Sequence, residues 1–158
     1  MKLTEIVHTN AIVPQLQAKE RDDAIRELVA ALVTSGATEE EAAPGLIEKL
    51  LDRERKGSTG FGRGVAVPHV KHRSVNVIRA AIGISQQGID FNALDKQPVY
   101  TIFLLLSPED RPEEHLQAME TIFKNLSKDT FRRFLRQSTN TEAVVALLDE
   151  ADHQQLGG

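Results

Sequence analysis

Residues 99–106, Val99-Tyr-Thr-Ile-Phe-Leu-Leu-Leu106, are a continuous apolar run rich in β-branched and aromatic side chains. Such a run is typical of a central strand that is covered on both faces of a sheet. Weaker strand patterns are predicted over residues 11–16, 65–67 and 75–84. Apolar residues at helical spacing predict helices over about residues 22–35, 44–55, 112–125, 130–136 and 141–150. Because strands and helices alternate, the predicted fold is α/β, with a single mixed, mostly parallel sheet of about five strands and helices on both faces.

The composition narrows the class of protein. Of the 158 residues, 41% are hydrophobic, which suffices for a packed core. No apolar run approaches the ~18 residues of a membrane-spanning helix, and no signal-peptide pattern opens the sequence, so we expect a cytoplasmic protein without direct membrane insertion. The absence of cysteine excludes disulfides and thiolate metal sites. A net charge of −4 and only 4% aromatic residues argue against nucleic acid as a partner.

A glycine-rich segment precedes the predicted central strand and reads Gly57-Ser-Thr-Gly-Phe-Gly-Arg-Gly-Val-Ala-Val-Pro-His69. Its glycines permit turns with positive φ and let the backbone come close to a bound group. A histidine just past a strand end, beside such a loop, lies near many backbone N–H groups, which phosphate chemistry can use. We expect a backbone carbonyl of the following loop to hold one nitrogen of the His69 ring and so fix its tautomer.

Two other readings of this segment fail on spacing. A nucleotide-binding P-loop needs Lys and then Ser or Thr after its last glycine, whereas here Gly62 is followed by Arg63 and Gly64. His69 and His72 have no carboxylate or cysteine partner at a recognisable spacing. We therefore expect neither a metal nor any other cofactor.

A second histidine lies near the start of a predicted helix. Pro112 suits the first helical position, which places His115 in the first turn. The positive end of the helix dipole favours a neutral imidazole there, whereas Glu113 and Glu114 favour its cation. The sequence leaves the charge of His115 open.

With these elements placed, the segment from Arg53 to His69 resembles the phosphorylation-site region of enzyme IIA of the fructose/mannitol type. These domains belong to the bacterial phosphoenolpyruvate-dependent sugar phosphotransferase system, and the nitrogen-regulatory IIA proteins are in the same family. Residues 88–99 resemble the family's segment before its central strand, and Glu113-Glu-His115-Leu resembles its second histidine. The resemblance covers about residues 4–150 and implies a single enzyme IIA (type 2) domain over 1–158. Within it, the polar residues 151–158 are predicted to be a frayed tail.

The resemblance implies a role for three charged or titratable residues. His69 matches the histidine that accepts the phosphoryl group, and His115 matches a second histidine that stabilises the phosphorylated one. Arg53 matches an arginine near the phosphate, with Arg55 as the alternative if the register slips.

Phosphate binding is also expected from the loop itself. The hydroxyls of Ser58 and Thr59 and the backbone around Gly60 offer donors to phosphate oxygens. The alternative is that Ser58 and Thr59 are turn residues that cap the loop and do not contact phosphate.

The implied function is that of a phosphocarrier, a phosphotransferase that takes a phosphoryl group from an HPr-like phosphocarrier protein and passes it to a IIB-type domain. The alternative is a regulatory IIA module that binds and controls other proteins according to its phosphorylation state, which a chain without attached transport domains slightly favours. We expect the partner surface to surround His69 and to include five further residues: Phe61, Arg63, Val70, Lys71 and Arg73.

Overall fold

The structure is a computed structural model that describes residues 1–157, with the side chains of residues 1–154. The helices are α1 (Leu3–Ile6), α2 (Arg21–Thr34), α3 (Ala43–Lys56), α4 (Pro112–Leu126), α5 (Asp129–Gln137) and α6 (Thr141–Gly157), with a short 3-10 helix at Glu40–Ala42. The strands are β1 (Val7–Val13), β2 (Gly60–Gly62), β3 (Val65–Ala66), β4 (His69–His72), β5 (Arg79–Ile89) and β6 (Val99–Pro108). No helix in this described part of the chain is long and apolar enough to cross a membrane.

The strands form one mixed sheet in the order β1-β5-β6-β3-β2, with β4 also paired to β6. The pairings of β1 with β5, β3 with β6 and β4 with β6 are parallel, whereas those of β5 with β6 and β2 with β3 are antiparallel. The predicted α/β fold with a mixed sheet is confirmed, and the sheet has six strands rather than five. The predicted central strand is β6, whose interior is fully buried.

Helices cover both faces of the sheet. One core lies between the sheet and helices α1, α4, α5 and α6, and a second core lies between the opposite face and helices α2 and α3. Alternate residues of β6 belong to opposite cores: Phe103 and Leu105 to the first, and Ile102, Leu104 and Leu106 to the second. This alternation is what a strand with period 2 requires when both of its faces are covered.

Strands β3 and β4 are two short segments that pair with β6 one after the other. Val65 lies opposite Thr101, and His69 lies opposite Leu105. Between them the chain leaves the strand ladder at Val67 and Pro68, where proline has no N–H to contribute. The interruption sets His69 at the start of a new strand rather than in the loop that the sequence predicted.

Two further predictions differ from the structure. The strand predicted over residues 75–84 is β5, which begins later, at Arg79, and continues to Ile89 with Gly88 at a φ of 86°. The predicted frayed tail is wrong at Ala151 and Asp152, which are buried within α6. Asp152 is fixed because its carboxylate accepts hydrogen bonds from the backbone N–H of Leu3 at 2.7 Å and of Thr4 at 3.1 Å.

Candidate active site

His69 is held in one tautomer by the backbone. Its Nδ1 lies 2.8 Å from the carbonyl oxygen of Val67. A carbonyl oxygen only accepts hydrogen bonds, so Nδ1 carries the proton, and in the neutral ring Nε2 keeps its lone pair. The expected acceptor was a carbonyl of the following loop, whereas the one present lies two residues earlier, where the strand ladder is interrupted.

His115 lies beside His69, with the two ring centroids 5.5 Å apart. It is buried in the first turn of α4, and its Nδ1 lies 2.6 Å from Oγ of Ser107 near the end of β6. Burial first, and then the electrostatic interactions with His69 and Lys71, lower the pKa of His115 to about 4. The charge that the sequence left open is therefore resolved, because a ring with this pKa is neutral at physiological pH.

The glycine-rich loop is anchored by a buried carboxylate. Glu54, in the last turns of α3, is only 3% exposed. It accepts hydrogen bonds from the backbone N–H of Thr59 at 3.1 Å and from the Thr59 hydroxyl. The carbonyl of Thr59 in turn accepts from the N–H of Val67 at 3.1 Å. The loop is thus tied at one end to α3 and at the other to the residue that orients His69.

Ser58 and Gly60 are likewise engaged within the loop. The Ser58 hydroxyl donates to the carbonyl of Phe91 at 2.7 Å and accepts from the N–H of Gly60 at 2.9 Å. A Cβ at Gly60 would lie 3.0 Å from the Cβ of Ala93, so the glycine permits close packing of the loop. The hydroxyls of Ser58 and Thr59 and the N–H groups of Thr59 and Gly60 are used internally, and direct contact of these three residues with phosphate stays a prediction.

Arg53 lies at the end of α3 with its side chain exposed. Its Nη1 donates to the carbonyl of Gly57 at 2.6 Å, at the start of the loop. Arg55 instead pairs with Asp52 at 2.6 Å. Of the two arginines, Arg53 is therefore the one that contacts the loop. Among the predicted site residues, His69 and His115 are the pair whose rings lie next to each other.

The predicted partner surface needs correction at two positions. Val70 is buried in the core beneath α2 and α3. Arg63 lies in the turn between β2 and β3, at the level of Thr101 on β6 rather than of Leu105. An apolar surface lies instead along α4 next to His115, and it consists of Phe61, Leu116, Met119 and Phe123. The rings of Phe61 and Phe123 are in contact, with centroids 4.7 Å apart.

Sequence reasoning missed three groups at this site: the Val67 carbonyl, the Ser107 hydroxyl and the Glu54 carboxylate. A backbone acceptor leaves no trace in side-chain identity. Ser107 gains its partner only when β6 and α4 come together, and Glu54 stands in a charged run, Asp52-Arg-Glu-Arg-Lys56, of the kind usually found on solvated faces. The isolated proline at position 68 was the one available signal that the strand is interrupted before His69.

The site therefore combines two imidazoles with different roles. The His115 ring is neutral and can donate a hydrogen bond, and the His69 ring has a nucleophilic Nε2. Within residues 1–154 no cluster of three or more His, Asp or Glu side chains is arranged to hold a metal ion. Chemically this is an acceptor site for an electrophilic group such as phosphoryl, on an open α/β fold.

Comparison with known proteins gives the family. Residues 5–151 match the family described as "Phosphoenolpyruvate-dependent sugar phosphotransferase system, EIIA 2". The chain belongs to this family, whose members are phosphocarrier components of the phosphotransferase system. The resemblance identified in the sequence is thus confirmed.

Relatives include both fructose-specific components of the phosphotransferase system and nitrogen regulatory proteins. The chain is 31% identical over 152 residues to the "PTS system fructose-specific EIIABC component" of Bacillus subtilis, covering 96% of this chain and 24% of that protein. It is 34% identical over 148 residues to the "Nitrogen regulatory protein" of Bradyrhizobium diazoefficiens, covering 94% of this chain and 95% of the relative. This chain thus spans about a quarter of the Bacillus protein.

Solved structures share the fold. The crystal structure of nitrogen regulatory protein IIA-Ntr from Neisseria meningitidis matches with a TM-score of 0.81 and 31% identity, covering 91% of this chain and 97% of that one. The enzyme IIA of mannitol from Escherichia coli, solved in complex with phosphorylated enzyme IIB of mannitol, matches with a TM-score of 0.76 at 21% identity, covering 92% of this chain and 99% of that one.

Proposed function

We propose that this phosphocarrier holds its phosphoryl group on Nε2 of His69. The supporting observation is the hydrogen bond from His69 Nδ1 to the Val67 carbonyl, which leaves Nε2 as the nucleophile, next to the ring of His115. The donor is an HPr-like phosphohistidine and the acceptor a IIB-type domain, and the reaction takes place in the cytoplasm. No cofactor takes part.

The transfer step balances without moving a proton on His69. The Nε2 lone pair attacks the phosphorus of the donor phosphohistidine, and an N–P bond forms at His69 as the donor N–P bond breaks. The electron pair of the broken bond returns to the donor imidazole. Nδ1–H stays hydrogen-bonded to the Val67 carbonyl throughout, so the phosphorylated ring is formally a cation, and the negative charge of its own phosphoryl group offsets it. Transfer onward repeats the step with this chain as donor.

His115 stabilises the phosphoryl group as a neutral donor. In this proposal the Ser107 hydroxyl donates to Nδ1, which leaves the proton on Nε2 for a phosphoryl oxygen. The low pKa supports this assignment, because the ring donates a hydrogen bond without bringing its own positive charge into a buried position. Arg53 supplies positive charge from the rim of the loop, with a planar fork suited to phosphate oxygens.

The loop residues act mainly by holding the site in shape. Glu54, Thr59 and Ser58 use their hydrogen bonds to fix the chain that leads to Val67. Phosphate contact through the Ser58 and Thr59 hydroxyls or the Gly60 N–H requires those bonds to open first. We therefore assign these residues a positioning role before the phosphoryl group arrives.

Donor and acceptor dock in turn on the apolar surface of α4 and Phe61. Leu116 is 66% exposed and Phe123 is 37% exposed, on the same helix as His115. Large apolar side chains beside a reactive group are typical of transient protein contacts. The Escherichia coli neighbour solved with phosphorylated enzyme IIB supports a IIB-type partner here.

Regulation of another protein is the second candidate. Relatives named as nitrogen regulatory proteins match at an identity similar to that of the fructose-specific relative. Both candidates use the same phosphorylated histidine and differ only in what binds the α4 surface.

The test is transfer of labelled phosphate from phosphorylated HPr to wild type, His69→Gln and the control His72→Gln. His72 is a partly buried histidine on the same strand. We expect acid-labile label on wild type and His72→Gln and none on His69→Gln, with ³¹P NMR reporting an Nε2 phosphohistidine. Label on a folded His69→Gln, or on Nδ1 of wild type, would overturn the assignment.

A further inference from the structure

A cleft lies at the end of the central strands that is opposite to the two histidines. It has a volume of about 430 Å³ and is bounded by α5, the turn between β2 and β3, and the first half of β6. Its walls carry four arginines, Arg63, Arg132, Arg133 and Arg136, against two aspartates. This local excess of positive charge occurs in a chain whose net charge is −4.

The cleft is separate from the phosphoryl site. Thr101 lines the cleft and lies opposite Val65, whereas His69 lies opposite Leu105. Four residues of extended strand separate the two levels, a distance of ~13 Å at ~3.3 Å per residue. None of the residues that hold His69 or His115 belongs to the cleft.

The two aspartates of the cleft already have hydrogen-bond or ion-pair partners within the protein. Asp95 accepts from the backbone N–H of Arg63 and of Gln97, each at 3.0 Å, and these hydrogen bonds lower its pKa. Asp129 pairs with Arg132 at 3.3 Å, while Arg132 also donates to the Leu126 carbonyl at 2.7 Å.

The other three arginines remain available. Among residues 1–154, whose side chains are described, the ion pairs do not include Arg63, Arg133 or Arg136. All three are exposed at the cleft. An anion entering the cleft would therefore meet guanidinium groups without first displacing a carboxylate.

Arg63 occupies a backbone conformation that arginine rarely adopts. Its φ is 59° and that of Gly64 is 79°, in the two-residue turn between β2 and β3. Such turns prefer Asn or Gly, and another residue in the left-handed region costs of order 1 kcal/mol. The Asp95 carboxylate holds the Arg63 N–H and so stabilises this turn. The turn places the Arg63 side chain in the wall of the cleft.

The cleft also has an aromatic floor. The guanidinium of Arg136 lies over the Tyr100 ring, 3.4 Å from its centroid. A Cβ at Gly64 would lie 3.3 Å from this ring, and a Cβ at Gly88 would lie 2.9 Å from it. The two glycines therefore make room for Tyr100, which in turn orients Arg136.

We propose that this cleft binds a small molecule that carries a phosphate ester. Guanidinium forks match phosphate oxygens two at a time, and several of them converge here. The volume lies within the ~300–1,000 Å³ range of small-ligand sites. Sugar phosphates and nucleotides share this chemistry, and their binding is a property of the cleft that is independent of phosphorylation at His69.

The test uses the folded chain and three probes: pyrophosphate, glucose 6-phosphate and AMP, with glucose and adenosine as uncharged counterparts. Isothermal calorimetry gives affinity, and amide chemical shifts give location. Tyr100 is the chain's one tyrosine and there is no tryptophan, so its fluorescence reports occupancy directly for the non-absorbing probes. We expect glucose 6-phosphate or AMP to bind and to shift the amides of Arg63, Gly64 and Thr101, while the uncharged counterparts do not bind. The tighter of glucose 6-phosphate and AMP identifies the ligand class.

The matched variants are Arg133→Gln/Arg136→Gln and, as control, Arg26→Gln on α2, where Arg26 is also exposed. Loss of hydrogen bonds to a charged group predicts binding weaker by roughly ten- to hundredfold in the first variant and unchanged in the second. Circular dichroism checks that each variant is folded. The proposal is overturned if neither glucose 6-phosphate nor AMP binds, which includes binding of pyrophosphate alone, if the double variant binds as tightly as the control, or if the shifts map to His69 and Val67 instead.

Discussion

The two ends of β6 carry sites built from different chemistry. Near Leu105 the adjoining side chains are two imidazoles, one oriented by a carbonyl and the other beside a hydroxyl. Near Thr101 they are guanidinium groups beside a tyrosine ring. A group that is carried covalently needs a neutral nucleophile with a lone pair, whereas an anion that binds reversibly needs fixed positive charge. One strand thus separates the proposed covalent site from the proposed electrostatic one, and the following predictions test that division.

The largest effect is expected from removing the donor at the covalent end. His115→Ala should slow phosphoryl transfer to His69 by roughly 100- to 1,000-fold, because removal of one donor to a developing anionic oxygen has that effect in other enzymes. The measurement is the rate of labelling from phosphorylated HPr at fixed donor concentration.

Ser107→Ala is the companion variant, because it removes the hydroxyl beside His115 Nδ1 and leaves the ring in place. We expect it to slow transfer less than His115→Ala, since the ring can still donate from Nε2. Equal rates for wild type and His115→Ala would mean that His69 works without its neighbour.

The next effect concerns the anchor of the loop. Glu54→Ala leaves the N–H and the hydroxyl of Thr59 buried without an acceptor, which predicts a loss of about 2–4 kcal/mol in the free energy of unfolding. The control is Asp52→Ala on the same helix, because Asp52 is exposed and pairs only with Arg55. Urea denaturation of both variants measures the difference. Similar losses in the two would show that the buried contact adds nothing beyond an exposed one.

The sequence singled out the two histidines that the structure brings together, but it did not indicate the arginine cleft. His69 and His115 stand in local motifs, so the short segments around them already indicate their chemistry. The cleft draws Arg63 from the glycine-rich segment and Arg136 from α5, more than 70 residues later, and nothing in that segment points to Arg136. Only the sheet register brings them together, so no local pattern could have predicted that site.

The fold shows the same limit at smaller scale. The central strand was predicted correctly because a continuous apolar run of that length is typical of a strand that is buried on both faces of a sheet. Strand β4 was missed, since its four residues, His69-Val-Lys-His72, contain one apolar side chain and so carry little strand signal. Its partner β6 supplies the ladder that makes it a strand, which is tertiary information. Asp152 was likewise read as a tail residue because its partners, Leu3 and Thr4, lie at the other terminus.

The burial of His115 predicts a dependence of stability on pH. In the unfolded chain His115 takes up a proton near 6.5, whereas in the folded protein its pKa is about 4. Between these values the unfolded state binds more protons, so stability falls as the pH is lowered from 6.5 towards 4. The contribution is up to about 3 kcal/mol at 1.36 kcal/mol per pKa unit.

His115→Gln isolates this contribution, since glutamine does not titrate and the other groups are unchanged. The free energy of unfolding is measured from pH 7 to 4 for both proteins, and the difference between the two curves is read. We expect wild type to lose more stability than the variant over this interval. Parallel curves would indicate that His115 is protonated as readily in the folded protein as in the unfolded one.

The smallest effect is expected at the electrostatic end, from Arg136→Lys. The ammonium group keeps the charge, but it lacks the planar guanidinium that stacks on Tyr100. We expect a loss of about 0.5–1 kcal/mol in the free energy of unfolding, the usual worth of an exposed cation–π contact. Tyrosine fluorescence should change in the folded state, because Tyr100 is the one tyrosine in the chain. If the cleft recognises charge alone, the affinity for pyrophosphate stays at the wild-type value. If it recognises the two-pronged geometry of guanidinium, affinity falls along with the stacking, and the two ends of β6 then differ in the shape as well as the charge of their ligands.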